Sequence, residues 1–232
     1  KSEQTIQRLA QFHVGTILDY SIEGAETEEG FETTAAEILK TFDKARNNPA
    51  VPFCVFKLTG MAEFALLEKI QSKESLSEKE KDAIERVRKR VDKICGKAYE
   101  YKVPVLIDAE DSWIQNGIDS LVYEMMEKYN KEQAIVFNTY QMYRVDMLNN
   151  LKEAFHHAAM QGYYLGVKMV RGAYMEKERE RAAKMGYADP IHPTKEATDN
   201  SYNKGLAFCM DNKQRIMLVS GTHNEYSNQY LT

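Results

Sequence analysis

The chain has 232 residues, 43% of them hydrophobic, and a formal net charge of −4. That suffices for one sizeable core, falls slightly short of the roughly 250 residues of a complete (β/α)8 barrel, and offers no basic stripe for nucleic acid. Three well-separated cysteines, Cys54, Cys95 and Cys209, make neither a CxxC nor a Cys/His metal spacing, so we expect a reducing compartment and no metal.

Six short apolar runs alternate with helical stretches. The first, 14–20, precedes a helix expected over 29–48 and stopped by Pro49. The second, 54–59, contains Lys57; a lysine at a buried strand end is costly unless it snorkels, pairs with a carboxylate such as Asp108, or serves as a Schiff-base nucleophile. Ser77 and Glu80 read as a capping box opening a helix with Val87, Val91, Ile94 and Ala98 inward and Glu85, Arg86, Arg88, Lys89 and Arg90 on a solvated face.

The third run, 103–110, delivers Asp108, either a helix cap or a site carboxylate awaiting a cation, with Glu110 and Asp111 the better cap candidates. The fourth, 134–140, holds Asn138 and leads to a helix over 143–161, with Val145, Leu148, Leu151, Phe155 and Ala158 inward and Gly162 as its stop. The fifth, 165–170, carries Lys168 and runs into Arg171-Gly172-Ala173, where cations and small residues suit an anionic ligand or structural salt bridges. Thr194-Lys195 resembles a helix start, as ready to hold a phosphate as to cap. After the sixth run, 216–220, come Thr222, His223 and Asn224.

Mostly continuous apolar runs suit parallel strands buried on both faces, joined by right-handed crossovers. Neither GxGxxG nor GxxxxGK[ST] occurs. The polar residues at strand C-terminal ends would share one rim in a barrel. The fold class expected is α/β, a (β/α)8 TIM-type barrel with about six βα units, in one domain over 1–232.

The ordered segments ILDYSIEG (17–24), FKLTG (56–60), LIDAE (106–110), FNTYQMY (137–143), KMVRGAY (168–174), GYADPI (186–191) and GTHN (221–224) resemble the proline dehydrogenases. That resemblance implies a distorted barrel with FAD at its C-terminal rim. It implies oxidation of L-proline to Δ1-pyrroline-5-carboxylate by hydride transfer to flavin N5, with ubiquinone or menaquinone as acceptor and peripheral membrane association. The place implied is the bacterial cytoplasm at the inner face of the membrane, or alternatively the matrix side of the mitochondrial inner membrane. By motif, Lys57, Asp108 and Tyr174 would be catalytic, and these with Met169 would bind substrate. Asn138, Lys168, Val170, Arg171, Gly172, Thr194, Lys195, Thr222, His223 and Asn224 would bind the cofactor. The resemblance also places the end of the chain before the family's last two strands and a final helix bearing a carboxylate-gripping arginine pair. The expectation is that these 232 residues alone neither close a barrel nor oxidise proline. Rival expectations are a Schiff-base aldolase using Lys57 and a non-catalytic flavin-binding fragment.

Overall fold

The computed structural model describes residues 2–20 and 26–231; part of the 17–24 motif therefore lies outside the described residues. Six strands form one sheet: β1 (Ile17–Asp19), β2 (Phe53–Phe56), β3 (Val105–Ile107), β4 (Val136–Gln141), β5 (Leu165–Val170) and β6 (Ile216–Ser220). All neighbours are parallel and the spatial order is the sequence order. Sequential parallel strands with crossover helices are the staves of a (β/α) barrel. Among the described residues β1 and β6 are edges, so the sheet is open.

The helices are α1 (Ser2–Ala10), α2 (Glu28–Ala45), α3 (Phe64–Gln71), α4 (Glu78–Tyr101), α5 (Ser112–Tyr129), α6 (Met147–Gln161), α7 (Met175–Met185), α8 (Lys195–Asp211) and α9 (Glu225–Leu231). Most of the core lies between them and one face of the sheet, where Phe56, Val105, Ile107, Tyr140, Val167 and Met169 meet Ile94, Ile118, Leu151 and Leu206. On the other face Val55, Leu106 and Phe137 form a separate, smaller cluster. This is the interior of the curved sheet.

Register makes the interior a set of layers. Asp19, Val55, Leu106, Phe137, Gly166 and Met217 are joined by successive Cα pairings. Two residues further along each strand, the side-chain period of a strand brings Lys57, Asp108, Thr139, Lys168 and Val219 to the same face. Gly166 fits because a Cβ there would sit less than 3.0 Å from the Val136 carbonyl and the Phe137 ring.

Several boundaries move. The helix expected over 29–48 is α2, which ends at Ala45, three residues early, as Asn47 takes a left-handed φ of 56°. The helix expected over 143–161 starts only at Met147, and Val145, expected inward, is exposed because it precedes the helix. Gly162 closes α6 at φ 71° and the Ser77–Glu80 capping box opens α4, both as expected. Arg90 is the clearest correction. It is buried rather than solvated, over the Phe31 ring, donating to Met61 O at 3.0 Å and paired with Glu28 and Glu32. The reason is helical spacing: position 90 follows Val87 by three and precedes Ile94 by four, so it shares their face.

The three cysteines are free and buried, and burial pushes the thiols up, that of Cys209 to about 12. Among the described residues no helix is long and apolar enough to cross a membrane.

Candidate active site

The second of these interior layers opens into a cleft of about 350 Å³ at the C-terminal ends of β2 to β6. Lys57, Asp108, Thr139 and Lys168 floor it. Gln141, Val170 and the turn Arg171–Tyr174 form one wall, and Thr222 and His223 another. β2 and β3 stop just before Lys57 and Asp108, where the sequence turns polar, while β4 and β5 run two residues past Thr139 and Lys168 and so form the higher wall.

Asp108 pairs with Lys168, across a gap of 60 residues in sequence. Both side chains are about four-fifths buried, at 19% and 18% exposure, so water screens the pair only in part. Lys57 also lines the cleft beside this pair, and its charge acts on Glu110. Glu110 is buried and accepts from Thr59 N at 3.0 Å and from the Thr59 hydroxyl. Burial raises its carboxyl pKa, against the lowering effect of the Thr59 hydrogen bonds and of Lys57. Asp111 stands at the N-cap of α5 without making a side-chain cap bond; its carboxylate goes to Lys177 at 2.6 Å.

A pH dependence follows. The folded state holds the Glu110 proton more tightly than the unfolded chain does, so this group's contribution to stability falls as pH rises from its ordinary value of 4.5 through the raised one. Glu110→Gln should make the decline of Tm over that window shallower, measured by calorimetry in steps from pH 4.5 upward; an unchanged slope would show that Glu110 ionises as freely folded as unfolded.

The Arg171–Ala173 turn also borders a second cavity, of about 600 Å³, lined by Tyr143, His192, Thr194, Lys195 and Thr198. Thr194 caps α8, its side chain accepting from Ala197 N at 3.1 Å. Gly172 has φ 142°, and a Cβ on it would lie less than 3.0 Å from the Tyr143 ring. Arg171 is braced over the Tyr202 ring by Asp199 at 2.5 Å, Thr222 at 2.6 Å and Ser227 at 3.0 Å. Burial opposes ionisation of Asp199, but hydrogen bonds from Lys195 and Arg171 outweigh it and hold its carboxyl below the usual range.

Three of the expected site residues stand outside the lining of this cleft. Asn138 is paired in register with Ile107 and Val167, on the helix-facing side, where its amide donates to Asp119 at 2.8 Å; it does not line the cleft. Met169 shares that parity and packs against Gly205 of α8, so it does not line the pocket either. Asn224 also lies outside the cleft lining and serves α9, its side chain accepting from Ser227 N at 2.9 Å. In place of Asn138 the cleft receives Thr139 and Gln141. Gln141 accepts from Ala173 N at 3.1 Å and donates to Glu110 O at 2.8 Å. The signal was the period of two: residues 139 and 141 share the parity of Lys168 and Val170.

A family model described as Proline dehydrogenase matches residues 2–232. Proline dehydrogenase 1, mitochondrial, of Dictyostelium discoideum is 33% identical over 98% of this chain and 47% of its own length. The carbapenem antibiotics biosynthesis protein CarD of Pectobacterium carotovorum subsp. carotovorum is 30% identical over 97% of this chain and 59% of its own. The chain thus spans about half the length of these relatives. Among solved structures, proline utilization A from Bdellovibrio bacteriovorus inactivated by N-propargylglycine superposes with a TM-score of 0.82 at 15% identity, over 98% of this chain and 25% of that one.

Proposed function

The chain belongs to the proline dehydrogenase family, and on that premise we propose that it forms the cofactor- and substrate-binding part of an enzyme that oxidises L-proline to Δ1-pyrroline-5-carboxylate in proline catabolism. FAD would supply the oxidant, taking a hydride at N5 and passing electrons to a membrane quinone, ubiquinone or menaquinone. The residues present suit that cofactor: two cavities border the turn Arg171–Ala173 and together would form a trough for it, and a Cβ at Gly172 has no room.

Within the trough, the N-terminus of α8 with Thr194 and Lys195 suits the pyrophosphate, as backbone N–H groups and the helix dipole favour anions there. Arg171, Thr222 and His223 would hold the neighbouring part of the cofactor. Lys168, Val170, Thr139 and Gln141 would flank its ring. Lys57, Lys168 and Arg171 bring cationic side chains to the cleft lining beside Asp108, which suits a substrate carboxylate as well. Tyr174, at the cleft edge beside Lys177, would cover the substrate ring and shield it from water. We further propose that residues 1–232 are six staves of one barrel domain, working at a membrane face in a bacterium or, as the names of several relatives have it, in a mitochondrion.

The observation that carries this reading is the gathering of Lys57, Asp108, Lys168 and Tyr174 around one cleft. The test is turnover by the full-length protein supplied with FAD, L-proline and a quinone analogue, with the cyclic imine followed by mass spectrometry. Formation of the imine supports the proposal; its absence from folded, FAD-loaded protein overturns it.

A further inference from the structure

A chain of hydrogen bonds runs from behind the sheet into the cleft, and it starts from Asp119 on α5. Oδ1 of Asp119 accepts from Gln115 Nε2 at 2.7 Å and from Asn138 Nδ2 at 2.8 Å. Each of these amides turns its own oxygen onto a backbone N–H: Gln115 accepts from Glu110 N at 2.7 Å, and Asn138 from Thr139 N at 2.9 Å. An amide has a donor end and an acceptor end, so an acceptor fixed at one end decides what the other end does.

The next links lie in the cleft. The Thr139 hydroxyl donates to Ile107 O at 2.7 Å, and Gln141 ties Glu110 O to Ala173 N. Gln115, Asn138, Thr139 and Gln141 are all more than nine-tenths buried. A reversed amide would therefore set donor against donor without water to relieve it.

We propose that Asp119 is a positioning residue for the reaction cleft. Through Gln115 it sets the branch that reaches Glu110, Gln141 and Ala173. Through Asn138 it sets the branch that reaches Thr139. Asp119 itself never reaches the cleft; it opens instead onto a groove between α5 and α6, beside Ser120 and His157. The seating of α5 rests on Ile114, Ile118, Leu121 and Val122, so the helix does not need the carboxylate to stay packed. The effect on turnover rests on the proline oxidation proposed above; the positioning does not.

The experiment compares Asp119→Leu, Asp119→Asn and Ser120→Ala in the full-length, FAD-loaded protein. Asparagine keeps an oxygen for both amide donors, and leucine does not. In Asp119→Leu, hydrogen exchange at the Ala173 and Thr139 amides should rise about tenfold or more with α4 amides unchanged. kcat for L-proline should fall by roughly tenfold or more at an unchanged flavin-to-protein ratio. Asp119→Asn should restore both within about threefold, and Ser120→Ala should leave both at wild-type values. If Asp119→Leu does not fold, Gln115→Leu should raise exchange at Ala173 and not at Thr139, and Asn138→Leu the reverse. Wild-type exchange at both amides in folded Asp119→Leu, or an asparagine variant as impaired as the leucine one, overturns the proposal. If the wild-type protein does not oxidise proline, the exchange data still decide the role of Asp119, and the failure belongs to the function alone.

Discussion

Asp108→Ala should lower kcat/KM for L-proline by about a hundred- to a thousandfold while FAD stays bound. The carboxylate holds the Lys168 ammonium at the floor of the cleft, and the two groups shield each other in a site about four-fifths closed to water. Without the anion, the lysine loses the partner that makes its burial tolerable and swings towards solvent. A cation that must be re-placed at every turnover stabilises developing charge far less than one already in position. Asp108→Asn should fall between wild type and alanine, since the amide keeps a hydrogen-bond acceptor but not the charge. Steady-state kinetics with a measured flavin-to-protein ratio checks this. A loss of less than about tenfold in Asp108→Ala would mean that the Asp108–Lys168 pair is structural.

Gly172→Ala should abolish cofactor binding. At φ 142° the backbone lies where only glycine rests without strain, and a methyl group would enter the Tyr143 ring. Strain and overpacking together cost about 2–5 kcal/mol. The consequence is not confined to the turn. Tyr143 N donates to Arg171 O at 2.7 Å, and the Tyr143 hydroxyl accepts from Tyr174 N at 3.3 Å. Relief by moving Tyr143 therefore shifts both the cation shared by the two cavities and the ring at the cleft edge. The expected result is FAD content below about a tenth of wild type after purification, with partial recovery in excess FAD. Full FAD content would show that the turn can relax without harm.

Much of this was legible in the amino-acid order. The runs at 165–170 and 216–220 are strands to the residue, because continuous apolar character bounded by glycine and charge leaves little freedom. Lys57, Asp108, Lys168 and Tyr174 do converge, since a (β/α) succession brings strand ends together whatever lies between them. Facing was harder. In a run buried on both sides, hydrophobicity no longer distinguishes inside from outside, and only register does: it turns Asn138 and Met169 to the helix-facing side and Thr139 and Lys168 to the cleft. Arg90 failed for a related reason: a charged residue on a core face reads as surface unless its partners, Glu28 and Glu32, are known to stand opposite. The use of Asn224 as a cap and of Asp119 as an anchor depends on local geometry that residue type alone does not specify.

The most direct test of proline oxidation by a flavin held in this trough is the visible absorption spectrum of the full-length protein, before and after anaerobic addition of L-proline. The flavin bands should bleach on addition. Flavin bands unmoved by L-proline would contradict the substrate assignment, and a colourless protein that cannot be loaded with FAD would contradict the cofactor and direct attention to Lys57 as a carbonyl-trapping nucleophile.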